Sequence, residues 1–280
     1  MVDSMTPVKR QPESLRGRLR VKPGAGVDLR SIAPDETFGY RKDTAQAKVA
    51  GDVERLVDLQ ERIWAERAHR VLIVLQGMDA SGKDGAIKHL MSGLHPLGCR
   101  VVGFGVPSAV ELAHDYLWRV HQVMPGNGEM AIFNRSHYED VLVVRVKSLV
   151  SEAVWSRRYD HVNEFERMLA DEGTTILKFF LHIDQEEQLS RFQDRLGDPT
   201  KRWKFKMGDL EARQQWDDYM AAYADALSRC STDAAPWYVI PANRKWFRDL
   251  AIGEILADTL DDLKPTFPEQ ADLPPDLVLT

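Results

Sequence analysis

The sequence predicts an α/β fold, a doubly wound sheet of about five parallel strands flanked by helices. Three observations predict it. Short continuous runs of β-branched residues and leucine recur along the chain, as strands buried on both faces require. Stretches with helical apolar spacing alternate with those runs, the pattern of strand–helix–strand units. A glycine-bearing turn stands directly between the first run and the helix that follows it. With 280 residues the chain is long enough for one large domain with a sizeable core.

Residues 1–36 read as an irregular N-terminal arm. They are rich in Pro, Gly and basic side chains, and from Lys9 to Lys22 the basic residues Lys9, Arg10, Arg16, Arg18, Arg20 and Lys22 stand against the single acid Glu13. A solvated tail is the plainer reading of such a charge run, and an arm that contacts phosphate the sharper one. From Asp43 to Arg67, the apolar residues Val49, Val53, Leu56, Leu59, Ile63 and Trp64 keep helical spacing and predict a long amphipathic helix. The first strand follows as "VLIVLQ", then "RVVGF" near 100–104, "MAIF" at 130–133, "TILKFFLHI" at 175–183 and "WYVI" at 237–240. Helical patterns fall at 84–94, 108–123, 150–171, 185–196, 209–228 and 245–261. Four prolines after residue 264 stop any helix, so 265–280 reads as a C-terminal tail and 37–264 as the main domain.

Composition narrows the function classes. A formal net charge of −6 lacks the global basic field expected of a nucleic-acid binder. Cys99 and Cys230 form no CxxC pair, which argues against a zinc site or a disulfide framework and fits a reducing cytoplasm. No apolar run approaches the roughly 20 residues of a membrane span, and no signal-like segment opens the chain. The expectation is a cytoplasmic protein with neither nucleic acid nor membrane as partner. A homo-oligomer is expected too, with the 43–67 helix and Trp155 as interface candidates.

The turn after the first strand carries the chemistry. Gly77-Met78-Asp79-Ala80-Ser81-Gly82-Lys83 has the GxxxxGK spacing of a Walker A loop. Gly77 and Gly82 permit torsions that point successive amides into a cup, through Ala80 and Ser81, and the following helix adds its positive end. Lys83 brings a mobile charge to phosphate oxygens. The plainer alternative, a glycine-rich turn beside a surface lysine, does not explain the strand before it and the helix after it. Asp84 stands where a Ser or Thr hydroxyl normally faces Mg²⁺, and Asp79 lies inside the loop. Two acids beside one phosphate cup suggest one or two Mg²⁺ ions between them, although Asp79 could simply stabilise the turn.

The third run ends in "NRSHYED". In open α/β sheets ligands sit at the carboxyl ends of strands, so Asn134, Arg135, Glu139 and Asp140 should share an edge with the loop. Arg135 could reach a transferring phosphoryl group, or be a structural ion-pair partner. His137 has no second histidine at ligand spacing and reads as structural. A local basic excess then runs through Arg191, Arg195, Lys201, Arg202, Lys204 and Lys206, interrupted by Gly197 and Pro199. A solvated charge run is the bland account. A helical lid at about 188–210, closing on a polyanion, is the account that a phosphate loop favours.

Together these motifs resemble the second family of polyphosphate kinases, P-loop kinase-like phosphotransferases of the cytoplasm. "GMDASGK", "FNRSHYEDVLVVRV", "RFQDRLGDPTKRWKF" and "DLEARQQWDDYMAAY" carry the likeness, which runs from about Tyr40 to Leu260. Members usually have Asp-Arg-Ser where this chain has Asn134-Arg135-Ser136, a variation similar to the class III subgroup, which phosphorylates nucleoside mono- and diphosphates. The resemblance implies reversible transfer of the terminal phosphoryl group of inorganic polyphosphate to AMP or ADP, with ATP as a product, Mg²⁺ or Mn²⁺ as cofactor and guanine nucleotides as further acceptors. It makes Asp79, Lys83, Arg135 and Asp140 catalytic, and Asp79, Asp84 and Asp140 the metal ligands. Asn134 and Glu139 fall at the strand end, and Arg191, Arg195, Lys201 and Lys204 become the polyphosphate-binding side chains of the lid. An ATP-dependent nucleotide or small-molecule kinase is the runner-up, and a polyanion-binding regulator with an inactive loop comes third.

Overall fold

Strands β1 (Arg70–Gln76), β2 (Cys99–Gly103), β3 (Met130–Asn134), β4 (Thr174–His182) and β5 (Trp237–Pro241) form one sheet, in a computed structural model that describes residues 14–269. Their order is β2-β3-β1-β4-β5, with every pairing parallel. β1 lies at the centre, and its six residues Val71–Gln76 are all buried. Side chains alternate across it. Val71, Ile73 and Leu75 meet Leu56, Ile63, Phe247 and Ile255 on one face, while Leu72 and Val74 meet Tyr159, Val162, Ala222 and Leu227 on the other.

Among the described residues the helices are α1 (Leu15–Leu19), α2 (Lys42–Glu66), α3 (Lys83–Leu90), α4 (Ala109–Leu112), α5 (Trp118–His121), α6 (Val143–Val146), α7 (Glu152–Asp171), α8 (Gln185–Gly197), α9 (Met207–Gln214), α10 (Trp216–Cys230) and α11 (Lys245–Asp262). The five strands and the long helices fall within a few residues of their sequence-based positions. Two helical spans are broken. Residues 108–123 hold only α4 and α5, because the Asp115 carboxylate accepts from the amides of Leu117 and Trp118 and diverts the backbone between them. Residues 209–228 divide at Gln215, which ends α9 and starts α10. α3 stops at Leu90 rather than continuing to 94.

The arm departs most from expectation. Its first 13 residues lie outside the described residues, as does the tail beyond 269. Residues 14–36, however, are built into the domain. Leu15, Leu19, Val21 and Leu29 are buried. The Val21 amide donates to the Trp237 carbonyl, and the Ser231 hydroxyl donates to the Val21 carbonyl. Arg20 and Tyr238 form an antiparallel bridge at the sheet edge. The apolar positions among the basic ones, not the basic ones, decide where this segment goes. Trp155, an interface candidate from the sequence, is partly buried against the core, with the Arg145 guanidinium 4.7 Å from its ring centre.

A buried polar group underlies the turn after β3. Lys178, in the middle of β4, donates to Glu166, to the Tyr138 hydroxyl (2.8 Å) and to the Cys230 carbonyl (2.7 Å). The His137 ring completes the set at 3.1 Å from Glu166, so its expected structural place agrees with the geometry. Burial alone would raise the Glu166 carboxyl, but Lys178 and His137 hold it below its ordinary value.

Candidate active site

The loop between β1 and α3 is fixed by its own carbonyls. Lys83 folds back and donates to the carbonyls of Gly77 (2.7 Å) and Met78 (3.1 Å). Gln188 takes the Asp79 carbonyl at 3.0 Å, Arg191 the carbonyls of Ala80 and Ser81, and Arg248 that of Gly82. With those acceptors occupied, the amides at the start of α3, which have no intrahelical partner, are left for an anion. Gly77 has φ +147°, and a Cβ there would stand 2.7 Å from the Leu181 carbonyl oxygen. Gly82 has φ +106°, and its Cβ would meet Arg248. Both positions therefore demand glycine. Ala80 follows with φ 63°, a left-handed torsion held by this bonding.

Above the loop lies a cavity of about 590 Å³, lined on the loop side by Asp79, Ala80, Gly82, Lys83, Asp84 and Gly85. Asn134 and Arg135 reach it from the end of β3, the strand hydrogen-bonded beside β1. Arg135 also has a left-handed torsion, φ 63°. Its guanidinium lies 2.5 Å from Asp79 and 3.3 Å from Glu139. Those two acids outweigh the opposing effect of burial and raise its pKa. The Asn134 amide donates to Asp84 at 3.0 Å. From the opposite wall come Arg195, Lys201, Trp203, Lys204, Lys206 and Asp209. Lys204 is 3.3 Å from Asp84, so α3, the end of β3 and the segment after α8 meet at that carboxylate. Burial raises the Asp84 carboxyl, yet the bonds from Asn134 and Lys204 leave it below its ordinary value. Lys83 is lowered as well, but there burial is the leading cause. Burial, then the nearby Arg135 charge, push its ammonium down to about 8, against the pull of Asp79, Glu139 and Asp84.

Two residues expected here lie elsewhere. Asp140 is 3.0 Å from Arg158 and 3.8 Å from Arg119, accepts a bond from Arg158 and does not line the cavity. It is a partner for buried arginines behind the site, not a third acid beside Asp79 and Asp84. Arg191 is not a lid cation. All five of its N–H groups are directed to Glu187 and to the carbonyls of Ala80, Ser81, Ala242 and Asn243. It ties the phosphate loop to the turn after β5. Arg248 does similar work at Gly82, and the sequence gives no sign of it, because 166 positions separate the two residues. Gly85, Trp203 and Asp209 also line the cavity beyond the residues singled out from sequence; their nearness to the loop and lid motifs was the available signal.

The donor set bears on the metal. Among the described residues no group of three or more His, Cys, Asp and Glu side chains could enclose an ion. Three carboxylates line the cavity: Asp79 and Asp84 on the loop side, and Asp209 on the opposite wall, 3.9 Å from Arg195. Mg²⁺ is commonly held by one or two carboxylates with waters and substrate phosphates completing its shell, and the loop-side pair Asp79 and Asp84 fits that pattern. No helix among the described residues is long and apolar enough to cross a membrane.

Comparison with known proteins gives a consistent result. The family model described as polyphosphate kinase 2 matches residues 39–268. The chain is 55% identical to the AMP/ADP-polyphosphate phosphotransferase of Meiothermus ruber, over 90% of this chain and 95% of that protein. It is 43% identical to the ADP-polyphosphate phosphotransferase of Rhodopseudomonas palustris, over 90% and 92%. The crystal structure of polyphosphate kinase 2 from Arthrobacter aurescens superimposes with a TM-score of 0.89 at 41% identity, covering 94% of each chain.

Proposed function

The chain belongs to the polyphosphate kinase 2 family, and from that membership we propose that it transfers the terminal phosphoryl group of inorganic polyphosphate to both AMP and ADP, reversibly. It is a polyphosphate-dependent nucleotide phosphotransferase. The observation that carries the reading is the single cavity in which Lys83 and the loop face Arg195, Lys201, Lys204 and Lys206. One wall grips a compact phosphate. The other offers a row of cations to an extended polyanion, a substrate with charge along its whole length. Acceptance of both mono- and diphosphate, the class III pattern, is supported by the Meiothermus relative, whose name includes both AMP and ADP.

The acceptor's phosphate is already ionised at neutral pH, so the step needs alignment and charge neutralisation more than a general base. The absence of Asp140 from the cavity wall is compatible with that. The loop amides cradle the transferring group. Lys83 leaves the carbonyls of Gly77 and Met78 to meet its oxygens, and Arg135 exchanges part of its contact with Asp79 and Glu139 for the same charge. Arg195, Lys201 and Lys204 hold the donor chain from the lid side. Asp79 and Asp84 would hold Mg²⁺, whose chemistry is to offset charge on bridging oxygens.

The test is direct. Purified protein, Mg²⁺ and polyphosphate should convert AMP to ADP and ADP to ATP. Failure to form either product ends the proposal. Faster transfer from ATP to a panel of acceptors than from polyphosphate would replace it with an ATP-dependent kinase.

A further inference from the structure

We propose that the indole of Trp203 is the platform on which the nucleobase of the acceptor stacks. This rests on the nucleotide-acceptor reading above and extends it to a specific contact. The first observation is exposure. Trp203 is 74% exposed although it is a large apolar side chain, and it is the only aromatic residue lining the cavity among the described residues. The second is orientation. Its Nε1–H donates to the Thr200 carbonyl at 3.0 Å, which fixes the ring's edge and leaves a face open. The Lys204 ammonium lies 5.2 Å from the ring centre and also 3.3 Å from Asp84. The exposed ring is therefore coupled to the side of the cavity where phosphate would sit.

The chemistry of the two substrates separates the alternatives. Polyphosphate is wholly inorganic and has no surface that an indole would recognise. A nucleotide combines phosphates with a flat aromatic base, and every base has a face that can stack on an aromatic side chain. In a cavity otherwise lined by charged, amide and small side chains, the indole complements only the base. This assigns the nucleotide's base to the lid segment and places the acceptor beneath that wall. It also predicts tolerance among bases, since stacking discriminates weakly between purines, in contrast to hydrogen bonding to base edges.

Calorimetric titration of ADP, and separately of tripolyphosphate as an anion without a base, into wild type, Trp203→Ala and Trp203→Phe tests the contact without requiring turnover. ADP should bind Trp203→Ala about tenfold more weakly, the order of one base–aromatic stack. Trp203→Phe should keep most of the affinity, and tripolyphosphate should change by less than about twofold in every variant. In steady state the KM for ADP should rise while the KM for polyphosphate holds. Unchanged ADP affinity in Trp203→Ala overturns the proposal, and so does an equal loss for tripolyphosphate, which would assign the indole to the polyanion track. Wild type that binds ADP through Trp203 but forms no ATP from polyphosphate would defeat the functional reading and leave this contact standing.

Discussion

Lys83 carries an ammonium pushed down to about 8, against an ordinary value of 10.5, because it is buried on the carbonyls of its own loop and beside Arg135. A bound phosphate favours the charged form and must raise that pKa. The sign follows. Below about pH 8 the amine is already protonated and phosphate binding takes up no proton. Above about 8 binding takes up a proton, so affinity falls as pH rises. The expected outcome is a kcat/KM for polyphosphate that declines above about pH 8, with proton uptake measured by titration in buffers of different ionisation enthalpy. Lys83→Arg should remove that inflection, and a flat wild-type profile between pH 7 and 9.5 would contradict the assignment. Asp140 yields the opposite sort of prediction. Its burial raises its carboxyl against the pull of Arg158 and Arg119. Asp140→Asn removes the charge those arginines face, so a loss of about 1–3 kcal/mol of stability is expected by chemical denaturation. The Mg²⁺ dependence of turnover should stay as in wild type.

At the scale of elements, α8 and the segment after it divide two jobs that the sequence merged into one basic lid. Arg191 binds backbone and Lys204 faces the cavity. Arg191→Met should leave four carbonyls, three of them buried, short of a donor, lowering the thermal midpoint and weakening every phosphate ligand together. Lys204→Ala should leave the midpoint within about 2 °C, raise the KM for polyphosphate several-fold and flatten its salt dependence. Equal behaviour of the two variants would refute the division. The contrast also marks what was legible. The "VLIVLQ" strand and the Gly77–Lys83 loop are local patterns, in which spacing and composition suffice, and both lie where expected. The destinations of Arg191, Asp140 and Arg248 depend on partners brought close by the fold, and no window of sequence holds them. The break at Asp115 was written locally, but a three-residue diversion of side chain to backbone is hidden beneath a helical apolar pattern that otherwise continues.

For the whole molecule, the arm closes the domain at the β5 edge. The carbonyls of Ile32, Pro34 and Asp35 contact His182, Asn243 and Arg244, at the ends of β4 and β5 beside the loop that Arg191 holds. Removing residues 1–36 exposes Tyr238 and strips Leu15, Leu19, Val21 and Leu29 from the core, at roughly 1.5–3 kcal/mol each. The shortened chain should melt far below the full one, or fail to fold, by circular dichroism, where loss of a solvated tail would change nothing. The ion pairs of the cavity have a wider effect. Lys83 rests on backbone oxygens, Arg135 on Asp79 and Lys204 on Asp84 before any substrate arrives. The protein thus acts as its own counterion, and a polyanion entering the cleft trades places with groups already there instead of meeting bare charge. Fewer small ions are then set free per phosphate docked than a tally of lysines and arginines suggests.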